Sequence, residues 1–256
     1  MAVKQIQNAF DLIEYFARTR KTASLADIQN HFGWPRSSAY NILNTLVERG
    51  YLYEPVRRGG YYPTPRLASV AEAIVSADPL NERLAELLEK LSAETGETAI
   101  LAAAAGRFSV YLNVIESPSP IRYAGHVGMR IPIHAGASGR ALLALYSAAE
   151  RASLLGKLDF EPYGKNALLS AKAVEEEIAK SLERGWFQSV EEYNADLAAI
   201  AIPVLAHERR LAIVVAGPEF RLKDQCNPVA DRLRRITADF GFQDIWATPD
   251  LAVATG

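Results

Sequence analysis

The stretch GWPRSSAYNILNTLVERGYL, residues 33–52, concentrates hydrogen-bonding side chains on one side of a single helix. At about 100° per residue, Ala39, Ile42, Leu43, Leu46 and Val47 share an apolar face. The opposite face displays Ser37, Asn41, Asn44 and Glu48, flanked by Arg36, Ser38, Tyr40 and Thr45. Such a surface suits the major groove of duplex DNA. Arg36 and the hydroxyls of Ser37 and Ser38 can reach phosphates near the helix start, while Asn41 or Asn44 can pair bidentately with adenine. Taken residue by residue, the same groups also describe an ordinary solvated helix face.

The preceding segments predict how that helix is positioned. Val3, Ile6, Phe10, Ile13 and Ala17 fall at helical spacing and are expected to point inward, with Lys4, Asn8, Asp11 and Glu14 turned away. Ser24 followed by Asp27 has the pattern of a capping box, opening a short helix with Leu25, Ile28 and Phe32 inward. Gly33 ends it, and Pro35 begins the next helix, which makes a helix-turn-helix. Then YLYEPVRRGGYYP reads as two β-prone runs around Arg57, Arg58, Gly59 and Gly60, a hairpin whose doubly positive tip can grip phosphates. Three helices and a two-stranded wing form a winged helix-turn-helix, a shape that also serves as a plain dimerisation unit.

Composition separates this module from the rest. Residues 1–66 hold nine Lys/Arg against five Asp/Glu, a net charge of +4 in a chain whose total is −2, so the remainder carries −6. A small basic module joined to a larger acidic one suggests that the first meets a polyanion. With 256 residues, 49% hydrophobic and 23% charged, the chain is expected to be soluble and to form two domains. The lone Cys226 excludes a disulfide within one chain, and His31, His126, His134 and His207 show no metal-ligand spacing, so neither metal nor cofactor is expected. The N-terminus lacks a signal-peptide core, and the apolar run at residues 197–206 is too short to span a bilayer. A cytoplasmic protein with no membrane partner is the expectation.

Beyond a helical segment at residues 65–77, Leu80, Leu84, Leu87 and Leu91 line one side of a further helix. TAILAAAA and FSVYLNVIE then read as strands joined at Gly106 and Arg107, and IRYAGHVG leads into MRIPIHAGASGRALLALYS. A helix ending at Gly185 precedes WFQSVEEY, LAAIAIPVLA and LAIVVAG, consecutive strands expected to be antiparallel, and NPVADRLRRITADFG closes an α+β domain. Little here suggests catalysis. GASGR at residues 136–140 lacks the final glycine of a nucleophile elbow, since Arg140 stands there. No Gly-rich dinucleotide or phosphate loop occurs, and Glu175, Glu176 and Glu177, adjacent on a helix, point in different directions. No catalytic residue is assigned.

The order of these segments resembles the IclR family of bacterial transcriptional regulators over nearly the whole chain. The most specific parts are Pro132 to Leu143, with its Pro-x-His-Ala start and Gly-Arg-Ala-Leu-Leu end, and Ala199-Ile200-Ala201-Ile202-Pro203. The resemblance implies a homodimer, often a dimer of dimers, whose N-terminal domains bind a palindromic operator and whose C-terminal GAF-like domain holds a small organic acid. By position it implies an effector pocket from the loop around Ala137 and Ser138, from Tyr123, Ile131 and Leu197 as apolar lining, and from Ser189, Ala199, Val214 and Ala216. Ser138 and the N–H groups of residues 137–139, Gly139 included, are candidates to cradle a carboxylate.

Departures from the family pattern carry information. Members that bind oxo-acids or dicarboxylates tend to place Asp, Cys and Ser where this chain has Ser189, Ala199, Val214 and Ala216, so a less polar, aromatic or largely apolar acid is expected here. The family's usual Arg is replaced by Asn41 in the DNA-reading helix, and Pro63-Thr64-Pro65 replaces its wing-to-linker pattern. The expected division is a DNA-binding domain over residues 1–65, a helical linker over 66–78 and an effector domain over 79–256. The alternatives are a small-molecule-modifying enzyme, methyltransferase-like, whose winged helix only dimerises, and a sensor that binds a ligand but no DNA.

Overall fold

The computed structural model describes residues 3–55, 59–206 and 208–244. The chain divides into two units, Met1–Pro79 and Leu80–Gly256. In the first, α1 (Lys4–Thr19), α2 (Leu25–Phe32) and α3 (Arg36–Glu48) precede β1 (Leu52–Tyr53), β2 (Tyr62–Pro63) and α4 (Arg66–Ser76). The Ser24 hydroxyl accepts from the Asp27 N–H while the Asp27 carboxylate accepts from the Ser24 N–H, so the capping box forms as its sequence predicts. Gly33 closes α2 at φ 66°, and Pro35 caps α3 from outside rather than occupying its first turn. The wing's strands pair Leu52 with Pro63 and Tyr53 with Tyr62. Ala23 bridges to Tyr61, and Gly60 (φ +98) lies so near that a Cβ there would sit 2.8 Å from the Ala23 carbonyl carbon. Leu12, Phe16, Ala23, Ile28, Ala39, Leu43 and Leu52 form this unit's core.

Helix α1 corrects the sequence reading. Its buried residues are Asn8, Leu12 and Phe16, whereas Val3, Ile6 and Phe10 are 60%, 57% and 62% exposed. The apolar arc of α1 is wider than the surface α2 and α3 offer, so the core takes one edge of it and leaves the expected stripe outside. In α4 no side chain is buried, and Leu67, Val70, Ile74 and Val75 are all exposed.

The second unit is a curled antiparallel sheet between helices. Helix α5 (Pro79–Thr95) precedes β3 (Thr98–Ala105), β4 (Phe108–Ile115) and β5 (Arg130–Pro132). Next come α6 (Ala137–Leu143), α7 (Ala148–Leu155), α8 (Ala171–Arg184), β6 (Phe187–Val190), β7 (Leu197–Ala206) and β8 (Arg209–Pro218). The short α9 (Glu219–Leu222), then α10 (Cys226–Asp239) and β9 (Gln243–Asp244), end the described chain. Strand order is β5-β4-β3-β8-β7-β6, with β9 also on β7. One face packs Leu101, Ile200, Ile202, Ile213 and Val215 against Leu84, Leu87 and Leu91 of α5 and Leu233 and Ile236 of α10. The other carries smaller side chains, among them Ala102, Ala199, Ala201, Ala212 and Ala216, and meets α6 and α8. Alternation of Ala and Ile along β7 therefore decides which face admits close approach.

Close approach is greatest at Gly139, where a Cβ would fall 1.9 Å from the Ile133 carbonyl oxygen. Gly139→Ala forces backbone apart and should cost about 1–3 kcal/mol, lowering Tm by roughly 2–4 °C per kcal/mol. Thermal unfolding followed by circular dichroism checks this; an unchanged Tm would contradict the packing described.

Candidate functional site

On α3, Arg36, Ser37, Asn41 and Thr45 are exposed, Tyr40 is half-exposed, and Ser38 and Asn44 are half-buried. The expected reading face is thus accessible, but its two amides differ. Asn44 donates from Nδ2 to Glu48 Oε1 at 2.7 Å, which occupies half of the fork an adenine contact needs. The Asn41 side chain has no hydrogen-bond partner among the described residues, and its backbone carbonyl accepts from the Thr45 hydroxyl at 2.7 Å. Ser37, Ser38, Asn41 and Thr45 also share a groove of about 500 Å³ with Ile6 and Phe10 of α1. Arg57 and Arg58 lie outside the described residues.

In the second unit the expected effector residues gather on the small-residue face. Ser189 pairs with Ala199 and Ala199 with Ala216, so the three form a row across β6, β7 and β8. Val214 and Leu197 lie two positions from that row on the same face. Ile131, Ala137 and Tyr123 pack into the same cluster, and Ser138 and Gly139 open α6 beside it. Ser138 is buried and accepts a hydrogen bond from Ser109 at 3.1 Å, which leaves its own proton for another oxygen. Among the described residues no imidazole or carboxylate is bonded to Ser138, the arrangement a serine nucleophile needs. Tyr123 is fixed through its carbonyl, which accepts from Thr98 Oγ1 at 2.7 Å. The three adjacent glutamates diverge: Glu175 pairs with Arg151, Glu176 with Lys172 and Glu177 with Arg184.

Behind the loop that leads to Ser138 sits a buried cation. Arg140 has no exposed surface; its guanidinium meets Glu192 at 2.5 Å and 3.1 Å and donates to the carbonyls of His134 and Gln188. One residue thereby joins α6, the 133–136 loop, β6 and the β6–β7 turn. Burial raises the Glu192 carboxyl pKa even with Arg140 alongside. His134 is 2% exposed, its ring lies 4.8 Å from Phe160 and 6.2 Å from Tyr163, and neither ring nitrogen has a hydrogen-bond partner among the described residues.

This architecture matches known proteins throughout. The family model described as bacterial transcriptional regulator IclR C-terminal matches residues 72–239, and that of the IclR helix-turn-helix domain matches residues 5–55. The chain belongs to the IclR family of bacterial transcriptional regulators. It is 26% identical to the transcriptional regulator XynR of Escherichia coli K12 over 209 residues, 82% of this chain and 83% of that protein. With the transcriptional repressor IclR of the same organism it shares 23% over 258 residues, 99% and 90% of the two chains. The IclR crystal structure from Thermotoga maritima superposes with a TM-score of 0.77 at 19% identity, covering 97% of this chain and 99% of that one. An IclR homolog from Microbacterium hydrocarbonoxydans, complexed with 4-hydroxybenzoate, gives 0.74 at 20% identity, covering 92% and 97%. The helix-turn-helix unit is a DNA-binding domain, and the curled sheet with its helices is the GAF-like domain of an IclR-family regulator.

Sequence reasoning missed Ser109, Tyr111 and the Arg140 network. Strand alternation held a signal for the first two, since Ser109 and Tyr111 are the buried positions of the first half of β4. Nothing in the sequence pairs Arg140 with Glu192, which is 52 residues away.

Burial, and then the Arg140 cation, hold the His134 pKa below its ordinary 6.5. A histidine depressed in the folded state contributes full stability above the unfolded value, and that stability is lost as pH falls below about 6.5. The expected slope is at most about 1.36 kcal/mol per pH unit. Comparing Tm at pH 7.5 and 5.5 for the wild type and His134→Phe checks this: the variant should lose less on acidification, and equal losses would remove His134 from the account.

Proposed function

We propose that this IclR-family regulator reads its operator through Asn41 and is controlled by an aromatic or largely apolar organic acid held between Ser138 and the strands carrying Ala199, Val214 and Ala216. The observation that carries the reading is the packing of seven expected effector residues into one cluster against the sheet face floored by alanines, with Ser189 in register beside Ala199. An oxygen-dense acid would surrender hydration on that floor without equivalent hydrogen bonds. Ser138, with Ser109 behind it, supplies a hydroxyl donor for a carboxylate, and the N–H groups of residues 137–139 have no acceptor among the described residues. The solved homolog bound to 4-hydroxybenzoate supports the class of ligand.

On α3, Asn41 is the principal base reader and Asn44 contributes less while Glu48 holds it. Arg36, Ser37, Ser38, Tyr40 and Thr45 position the helix on phosphates, with Arg57 and Arg58 as further phosphate contacts. The regulator acts as a homodimer or a dimer of dimers. Supporting this is the absence of any buried side chain in α4, an 11-residue helix too short to persist alone in water. Residues 66–78 then form a linker between a DNA-binding domain over 1–65 and an effector domain over 79–256.

The operator is obtained by recovering the genomic fragments that the purified protein retains. On that DNA, Asn41→Ala should weaken binding by about 1–3 kcal/mol per lost base contact and leave binding to random duplex intact, with Asn44→Ala costing less. Titration by fluorescence anisotropy distinguishes the outcomes: equal loss on operator and random DNA would make Asn41 a phosphate contact.

A further inference from the structure

The sheet face that holds the candidate effector residues is less uniformly apolar than its floor. Ser109 and Tyr111 stand two residues apart on β4, opposite Ala104 and Ala102 of β3, and project to the same side. Ser109 backs Ser138 at one point. At the other, the Tyr111 hydroxyl lies 3.3 Å from that of Tyr123, with the two rings edge-on and their centroids 6.5 Å apart. Tyr111 is 6% exposed, and among the described residues its hydroxyl bonds Tyr123. The Tyr123 hydroxyl passes its own proton to the Met129 thioether at 3.5 Å, and a thioether is a weak acceptor. The chain of donors therefore ends on a group that satisfies it poorly.

Both rings are fixed in place. Thr98 Oγ1 holds the Tyr123 carbonyl and itself accepts from the Ser117 N–H. Gly125 closes against the pair, where a Cβ would come within 3.2 Å of Tyr123 and 3.4 Å of Tyr111. Among the described residues no lysine or arginine bonds either phenol. Burial raises the pKa of both hydroxyls, and neighbouring Tyr193 adds to the shift. They are neutral donors in a setting without a counter-charge, which suits a neutral polar group and opposes a second carboxylate.

We propose that Tyr111 and Tyr123 bind a hydroxyl group carried by the ligand at the end away from its acid group, so that the effector is a hydroxylated aromatic acid. The inference rests on the ligand class argued under the proposed function. A ligand hydroxyl replaces the thioether as acceptor for Tyr123 and adds a donor of its own, so its oxygen enters a fully bonded chain. An aromatic acid without the hydroxyl leaves the phenols on their present weak partner and gains nothing there.

Calorimetric titration of the full chain with benzoate, 4-hydroxybenzoate and succinate provides the test, repeated with Tyr111→Phe and Tyr123→Phe. One hydrogen bond of this kind corresponds to about tenfold in affinity. The wild type should prefer 4-hydroxybenzoate to benzoate by about that factor, and each phenylalanine variant should bring the affinities of the two acids to within about twofold of each other. Equal wild-type affinity for the two aromatic acids, or a preference that survives in both variants, would overturn the tyrosine assignment and leave the aromatic-acid reading standing. Tight binding of succinate with neither aromatic acid bound would overturn that reading and this inference with it.

Discussion

Arg140 carries a charge with no exposed surface, and the second unit brings acceptors from three segments to its two terminal nitrogens, while its Nε has no hydrogen-bond partner among the described residues. Glu192 supplies the counter-charge from the β6–β7 turn, and the carbonyls of His134 and Gln188 come from the loop before α6 and from β6. Leaving such a cation unpaired is far more costly than any single apolar contact in the domain. The position of Ser138, two residues before Arg140 on the same short helix, follows from this requirement. So does the turn that carries Glu192 and Tyr193, whose ends Glu191 and Asp196 both adopt left-handed backbone at φ 54° and 58°.

Packing of the sheet then separates a structural face from a permissive one. Leucine and isoleucine side chains fill the space under α5 and α10, and the alanines of β3, β7 and β8 leave the other face shallow enough for α6, whose Gly139 runs against the Ile133 carbonyl. Local rules made much of this legible in the sequence. The Ser24 capping box, the Gly33 and Gly185 helix ends, the β3–β4 hairpin at Gly106 and the β7–β8 pairing depend on neighbours a few residues apart. Which expected effector residues would share a face was carried by the family resemblance and is consistent with strand register. The polar groups that modify that face, Ser109 and Tyr111, needed the partner strand and the 121–129 segment to be placed first.

The error at α1 has the same physical origin. Periodicity identifies an apolar arc but not which part of it the chain covers, and Leu12 and Phe16 take the core while Val3, Ile6 and Phe10 stay exposed. Helix α1, apolar on more than one side, is followed in the same unit by α4, in which no side chain is buried.

Regulation requires that the effector and the operator share a free energy of coupling, and thermodynamics makes that coupling reciprocal. The most direct test measures both halves of the cycle on the full-length protein: operator affinity with and without saturating 4-hydroxybenzoate, and 4-hydroxybenzoate affinity with and without saturating operator. The account predicts that both affinities change by the same factor, between about 5- and 150-fold for a coupling of ordinary size. Tight binding of the acid with operator affinity unchanged would contradict it, because the site on the sheet would then hold a ligand without controlling DNA.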